Sequence, residues 1–322
     1  MKSQTPTSDR EDDPLIDEPP AAPAKSRSLL HSGIAWMLVA QVLFSLMSVF
    51  TRMGARHVPW MEVAAARFVI GALIAWGFAM LRGASLRIEN RRVAWVRTIF
   101  GTGSALAIFY TLSSPRIPLG DAVTLNSTGP VFVALLSWPL IGERVSRAVF
   151  LAVPLSIVGV ALVVKPSFDV ALQLAAISTA GAMSYGVAMI YLRRLGKNES
   201  HEAIVLHFSV FGAIVMIALS IPVWVTPDPA GLAVLALTGI SAGFGQLAMT
   251  RAYSLDRAAT ISALSYLGII ITHVMAIPMF GERTSPIQWA GSLLVIVAGV
   301  VLAFATRRAS APGFAGARVG TR

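Results

Sequence analysis

The chain has 322 residues, 55% of them apolar and only 13% charged, with a formal net charge of +10 and no cysteine. It is too apolar for a soluble domain of this size and far too long for a single anchor. The missing thiols exclude disulfides, zinc–cysteine sites and cysteine nucleophiles. The arginines cluster at the ends of apolar segments, which is the charge pattern of membrane topology rather than of a nucleic-acid surface.

Residues 1–31 are rich in Pro, Ser, Asp and Glu and lack apolar periodicity, so they read as a disordered cytoplasmic tail without a signal-peptide core. Segments of about 20 mostly apolar residues, the length that crosses a bilayer, then recur almost without pause. The expected spans are Gly33–Met53, Met61–Leu81, Val93–Ser113, Ala122–Ile141 and Ser146–Val164, then Leu172–Leu192, Ala203–Val225, Leu232–Tyr253, Ala259–Phe280 and Pro286–Ala305. The connecting loops are short, and residues 308–322 form a second tail. The fold class expected is therefore all-α integral membrane, with ten transmembrane helices.

Basic residues orient the spans. With both termini in the cytoplasm, the inner loops and helix ends hold Arg82, Arg87, Arg91, Arg92, Arg144, Arg147, Arg193, Arg194, Lys197, Arg251 and Arg257. The outer ones hold only Arg52, Arg56, Arg116, Lys165 and Arg283. The expected location is the cytoplasmic (inner) membrane.

The stretch Pro139-Leu-Ile-Gly-Glu-Arg-Val-Ser146 returns as Pro278-Met-Phe-Gly-Glu-Arg-Thr-Ser285, and Arg67-Phe68 returns as His207-Phe208. The chain thus divides into a first repeat, residues 32–166, and a second, residues 167–307. Five spans per repeat is an odd number, so the second copy enters the membrane from the opposite side. The two form an inverted pair, the arrangement typical of secondary transporters.

The run Pro118-Leu-Gly-Asp-Ala-Val-Thr-Leu-Asn-Ser-Thr-Gly-Pro130, the run Gly245-Gln-Leu-Ala-Met-Thr-Arg-Ala-Tyr-Ser-Leu255, Ser265-Tyr-Leu267 and the doubled Gly-Glu-Arg together resemble the EamA family of the drug/metabolite transporter superfamily. The resemblance implies a cavity near the midplane between spans one to four and six to nine, with spans five and ten peripheral. It also implies alternating access and a small-molecule substrate. Pro118-Leu-Gly-Asp-Ala122 is similar to members implicated in S-adenosylmethionine uptake. Family members often carry an acid and a proline after the Tyr-Leu of the ninth span. Gly268 and Ile269 stand there instead, so a helix break is expected only in the first repeat, beside Pro130.

Polar groups inside a bilayer are costly, which makes them functional candidates. Arg67 either offers a planar fork to a carboxylate or phosphate, or snorkels and ties down a neighbouring helix end. Arg97 follows Arg91 and Arg92 closely, so the interfacial reading leads, the other being positive charge for a ligand alongside Arg67. Gln41, Asn126, Gln246, Tyr110, Tyr185 and Tyr266 can orient a ligand by hydrogen bonds or serve as interhelical glue. Tyr266 and Gln246 rank first because they fall in the family-like motifs. His207 and His273 can move a proton or bond a carbonyl across a helix interface. Glu143 and Glu282 are expected to cap the next helix or pair with the arginine that follows each. Asp121, opening the fourth span, is favoured by the helix dipole alone. Gly101-x-Gly103, Gly243-x-Gly245, Gly181 and Gly186 are expected to form close-packed seams.

These features point to a secondary transporter of a small metabolite, favouring one that bears a carboxylate, such as an amino acid or an S-adenosylmethionine-like compound. No acid falls in mid-span, which argues against a dedicated carrier of organic cations. The alternative, an integral-membrane enzyme acting on lipid, lacks a His-Glu-x-x-His, a Gly-x-Ser-x-Gly or clustered intramembrane acids. A channel would need a ring of pore-lining polar residues, and none is visible. No cofactor or metal is expected. The partners expected are a small-molecule substrate and the lipid bilayer, with a homodimer admitted and no nucleic acid.

Overall fold

The structure is a computed structural model that describes residues 33–141, 149–164, 170–255, 261 and 264–308. The terminal tails, the Gly142-Glu143-Arg144 copy of the repeated motif, Arg147, Lys165 and Arg257 lie outside the described residues. Among the described residues the chain is helical throughout, without strands.

The helices are α1 Gly33–Gly54, α2 Trp60–Arg82, α3 Arg91–Ser113, α4 Leu119–Asn126, α5 Gly129–Ile141 and α6 Val149–Val164. They continue with α7 Val170–Leu195, α8 His201–Ser220, α9 Pro229–Leu255, α10 Leu267–Phe280 and α11 Pro286–Arg308. Seven segments are long and apolar enough to cross a membrane, α4 and α5 counting as one, and three shorter apolar helices accompany them. At 1.5 Å per residue, the 22 residues of α1 reach about 33 Å, the thickness of a bilayer's hydrocarbon core. A helix satisfies its own backbone groups, which is why this shape suits a medium without water.

Local chemistry sets the ends. Asn90 accepts from Val93 N at 3.3 Å to cap α3, and Ser200 accepts from Ala203 N at 3.2 Å to cap α8. Both α2 and α10 stop at glycines with positive φ, Gly83 at 61° and Gly281 at 63°, a conformation that costs a residue with a Cβ about 1 kcal/mol or more.

The fourth span is interrupted between Asn126 and Gly129, just before Pro130. The ninth breaks as well, against the expectation of a break in the first repeat only. Helical backbone at Leu264 turns at Ser265–Tyr266 before α10 begins. Glycine and tight turns replace proline there. Gly268 N bonds Ser265 O at 3.0 Å and Ile269 N bonds Tyr266 O at 3.1 Å, the three-residue spacing of a tightened turn. Gly268 faces α1, where a Cβ would lie 2.6 Å from Gln41 Oε1.

Pairwise packing organises the bundle. α1 runs along α9, α3 along α7, α2 along α8, α6 along α11, and α4 against α10. Small residues set several of these contacts, as expected for helices associating in lipid. On α6 and α11, a Cβ on Gly159 would lie 2.7 Å from Gly291 O, and one on Gly291 2.6 Å from Gly159 O. The sequence-predicted seams pack closely at Gly181 on Ala107, Gly186 on Phe132, Gly243 on Ile74 and Gly245 on Leu43 and Phe44. Gly101 differs: it adjoins the Arg97 guanidinium and Phe208. Large apolar side chains such as Leu73, Met80, Leu81, Phe150, Ile214 and Leu293 point outward, as lipid requires.

Candidate functional site

A cavity of about 180 Å³ lies inside the bundle. α1 contributes Gln41, Ser45 and Ser48; α2 contributes Arg67; α3 contributes Arg97 and Ser104. Asn126, Ser127 and Pro130 reach it from the break between α4 and α5, Tyr185 from α7, Phe208 from α8 and Gln246 from α9. Ser265, Gly268 and Thr272 close it from the second break and α10. No lining residue comes from α6 or α11, so both broken helices open their backbone turns onto the cavity while the two outermost helices stay clear of it.

The chemistry of the cavity is cationic. Arg67 donates from Nη2 to Gln246 Oε1 at 3.1 Å, while its Nε and Gln246 Nε2 have no partner. Arg97 is 2% exposed, with neither Nε nor Nη1 hydrogen-bonded. Its guanidinium stacks 4.1 Å from the centroid of the Phe208 ring, and that of Arg67 lies 5.2 Å from the same centroid and 4.2 Å from that of Phe68. Aromatic faces hold cations by their quadrupole at a desolvated strength of about 2 kcal/mol. They consume none of the N–H donors. The rings thus position two guanidiniums without occupying their unpartnered N–H groups. Among the described residues, no aspartate or glutamate lines the cavity.

Sequence placed Arg97 at the interface; the structure buries it. Its nearness to Arg91 and Arg92 suggested the membrane surface. The overlooked signal was Gly101, four residues on and on the same face, where a Cβ would clash with Arg97 Nη1.

Of the sequence-predicted ligand residues, Arg67, Gln41, Asn126, Gln246 and Tyr185 line the cavity together. Asn126 Nδ2 donates to Thr111 Oγ1 at 2.7 Å and to Ala122 O at 2.9 Å, leaving Oδ1 unpartnered. The Tyr185 and Tyr253 hydroxyls lie 3.3 Å apart. Tyr266 and Tyr110 are not among the lining residues. Tyr266 packs with Ile269 and Val295, its hydroxyl buried and unpartnered. Tyr110 sits edge-on to Trp60 at 5.8 Å.

Neither histidine lines the cavity. His207 meets Thr98 Oγ1 at 2.8 Å through Nδ1 and rests edge-on against Trp95 at 4.9 Å. His273 is fully buried, its Nδ1 2.9 Å from Ile269 O.

Glu282 does cap a helix and pair with an arginine, but not the local ones. Both carboxylate oxygens accept from Leu119 N at 2.8 Å, at the start of α4. The partner arginine is Arg52, at 3.6 Å. Arg52 also donates to Leu112 O at 2.6 Å and Ile117 O at 3.1 Å. The end of α1, the α3–α4 loop and the end of α10 are thereby locked together.

The sequence profile of the EamA-like transporter family matches residues 31–165 and again residues 174–305. The chain belongs to this family. It is a multi-pass membrane protein whose family signature occurs twice, and the cavity lies between helices of both copies. A pseudopaline exporter of Pseudomonas aeruginosa is 28% identical over 278 residues, 85% of this chain and 96% of the relative. A riboflavin transporter of Rhizobium johnstonii is 22% identical over 84% of this chain and 90% of its own length. An S-adenosylmethionine uptake transporter of Rickettsia prowazekii is 21% identical over 86% of this chain and 94% of its own. A crystal structure with 20% identity superposes with a TM-score of 0.65 over 86% of this chain and all of that one, a likeness of fold. The chain thus belongs to a family of transporters rather than of enzymes.

Proposed function

We propose that the chain carries a small carboxylate-bearing metabolite, of the amino-acid or S-adenosyl class, across the cytoplasmic membrane by alternating access. The observation that carries this reading is the pair of buried guanidiniums, Arg67 and Arg97, which line the cavity and keep N–H donors without partners, with no acid among the described lining residues. A carboxylate is the ligand group that a planar guanidinium fork meets with two parallel charge-assisted hydrogen bonds. The serine, asparagine and glutamine side chains around it supply the few oriented polar contacts typical of a largely apolar pocket.

Ten spans in two inverted repeats are the topology we propose for the alternating mechanism. Among the described residues seven helical segments are long and apolar enough to cross a membrane, and the proposal counts the three shorter apolar helices as further spans. The packing has the pattern that a pseudo-two-fold axis requires. When the copies are exchanged, the contact α1–α9 becomes α7–α3, while α2–α8 and α6–α11 each map onto themselves. Two repeats related in this way can swap conformations and expose one cavity to either face. Named relatives of this chain move small metabolites, among them S-adenosylmethionine.

A thermal-shift screen of the purified protein against amino acids, nucleosides and S-adenosyl compounds tests the proposal. A ligand that binds the native fold at 100 times its Kd stabilises it by about 2.7 kcal/mol. A shift with carboxylate-bearing compounds that vanishes on esterifying the carboxylate is the expected result. A shift confined to compounds without a carboxylate would overturn it.

A further inference from the structure

Outside the cavity, where α4, α10 and α11 meet, Asp121 and His273 face each other. They are 1% exposed each. His273 Nε2 lies 3.8 Å from Asp121 Oδ1, beyond hydrogen-bond reach, and neither atom has another partner. The other carboxylate oxygen, Oδ2, accepts from Gln288 Nε2. The imidazole ring stacks 4.7 Å from Trp289, and Gly120 adjoins it so closely that a Cβ there would lie 2.5 Å from the ring.

The tautomer follows from the far side of the ring. His273 Nδ1 contacts the carbonyl oxygen of Ile269 at 2.9 Å. A carbonyl only accepts, so Nδ1 carries the proton. In a neutral imidazole the opposite nitrogen is then bare. Asp121 Oδ1, when ionised, is also an acceptor. Two acceptors thus confront each other in a sealed apolar setting, and one added proton turns the confrontation into an attraction. On Nε2 it makes an imidazolium beside a carboxylate; on Oδ1 it makes an acid donating to a bare nitrogen.

We infer that Asp121 and His273 form a proton-binding site, which holds one proton between them and links α4 to α10. Its position ties it to transport. Thr272, adjacent to His273, and Val123 and Asn126, on α4 with Asp121, line the cavity. A proton bound behind the cavity draws together the two broken helices that form part of its wall. Its loss sets them apart. Other charges do not substitute for it. Arg52 is the one charged residue of α1, and it is held by Glu282 and two carbonyls. Asp121 is the one charged residue of α4, Arg283 is exposed, and α11 has no charged residue before Arg307.

The test uses the full chain in lipid nanodiscs, with the proton itself as the probe. Histidine-selective nitrogen-15 NMR reads the ring, identified among the five histidines by its loss in His273→Gln, and infrared spectroscopy reads protonated carboxyls. Asp121→Asn is the decisive variant. Its amide oxygen still accepts from Gln288, and its amide N–H supplies the missing donor to Nε2, so it folds without binding a proton. At neutral pH the wild type shows either an imidazolium or a buried protonated carboxyl, and Asp121→Asn shows neither. Amide protection factors in α4 and α10, which divide out the intrinsic pH dependence of exchange, fall in the wild type from neutral to alkaline pH and stay level in Asp121→Asn. A bare Nε2 beside an ionised Asp121 in the wild type, or the same pH response in both proteins, would overturn the inference. No transported substrate enters the experiment, so its outcome is independent of the substrate class proposed above.

Discussion

The Phe68 ring meets the Phe208 ring edge to face, 5.2 Å between centroids, and the two residues hold equivalent positions in the two repeats. A residue that touches its own repeat mate lies on the axis relating the copies. The guanidiniums of Arg67 and Arg97 both stack on Phe208, so the cationic part of the cavity is built on this contact. In the proposed reading, a helix-packing contact and a ligand platform are the same pair of rings.

Arg67→Ala removes one fork of the anion site and leaves Gln246 without its donor. Truncating a buried charged hydrogen-bond partner of a ligand costs about 2–5 kcal/mol, so affinity for a carboxylate ligand falls by at least about 30-fold. Titration calorimetry on the folded variant measures this. Unchanged affinity would remove Arg67 from the site.

Phe208→Leu keeps most of the apolar volume and removes the aromatic face. Each stacked guanidinium contributes about 0.5–2 kcal/mol through that face. Binding is therefore expected to weaken while the melting temperature changes little, as monitored by circular dichroism. A large loss of stability with unaltered affinity would mean that the ring only packs.

Gly101→Ala places a methyl where the Arg97 guanidinium sits. Arg97 has to leave its stack on Phe208, at about 1–3 kcal/mol of overpacking strain. Reduced ligand affinity is the expected outcome. The same substitution at Gly103, where the nearest atom is Ser184 Oγ at 3.8 Å, serves as the neutral control.

Glu282→Ala breaks the lock at the end of α10. It strands Arg52 and deprives Leu119 N of its acceptor, and breaking such a largely buried pair costs about 3–5 kcal/mol. The thermal midpoint falls accordingly. Arg283→Ala, at an exposed position, is expected to change it by less than about 0.5 kcal/mol equivalent.

Much of this was legible in the sequence. The doubled Gly-Glu-Arg exposed the repeat, and the family-like motifs brought Gln246 and Tyr266 forward; Gln246 lines the cavity and Tyr266 lies behind it. Arg67 was visible as a guanidinium far from any span end. Arg97 was hidden by charges close by in sequence, because linear proximity to Arg91 and Arg92 says nothing about which face of α3 a residue occupies. The second helix break was missed because it has no proline and rests on a glycine contact with α1. The Arg52–Glu282 and Asp121–His273 pairs join residues more than a hundred positions apart. Their separation conceals them until the helices are packed.

The most direct measurement of the central claim uses the absence of native cysteine. Ser104→Cys places a single thiol on the cavity wall, and Leu73→Cys places one on the outer face as a lipid control. Labelling with a membrane-impermeant maleimide is applied from each side of sealed vesicles in turn. Two repeats that exchange conformations predict modification of position 104 from both faces, slowed by a bound carboxylate ligand, with position 73 unreactive. Modification from one face alone, whatever the ligand, would contradict the account.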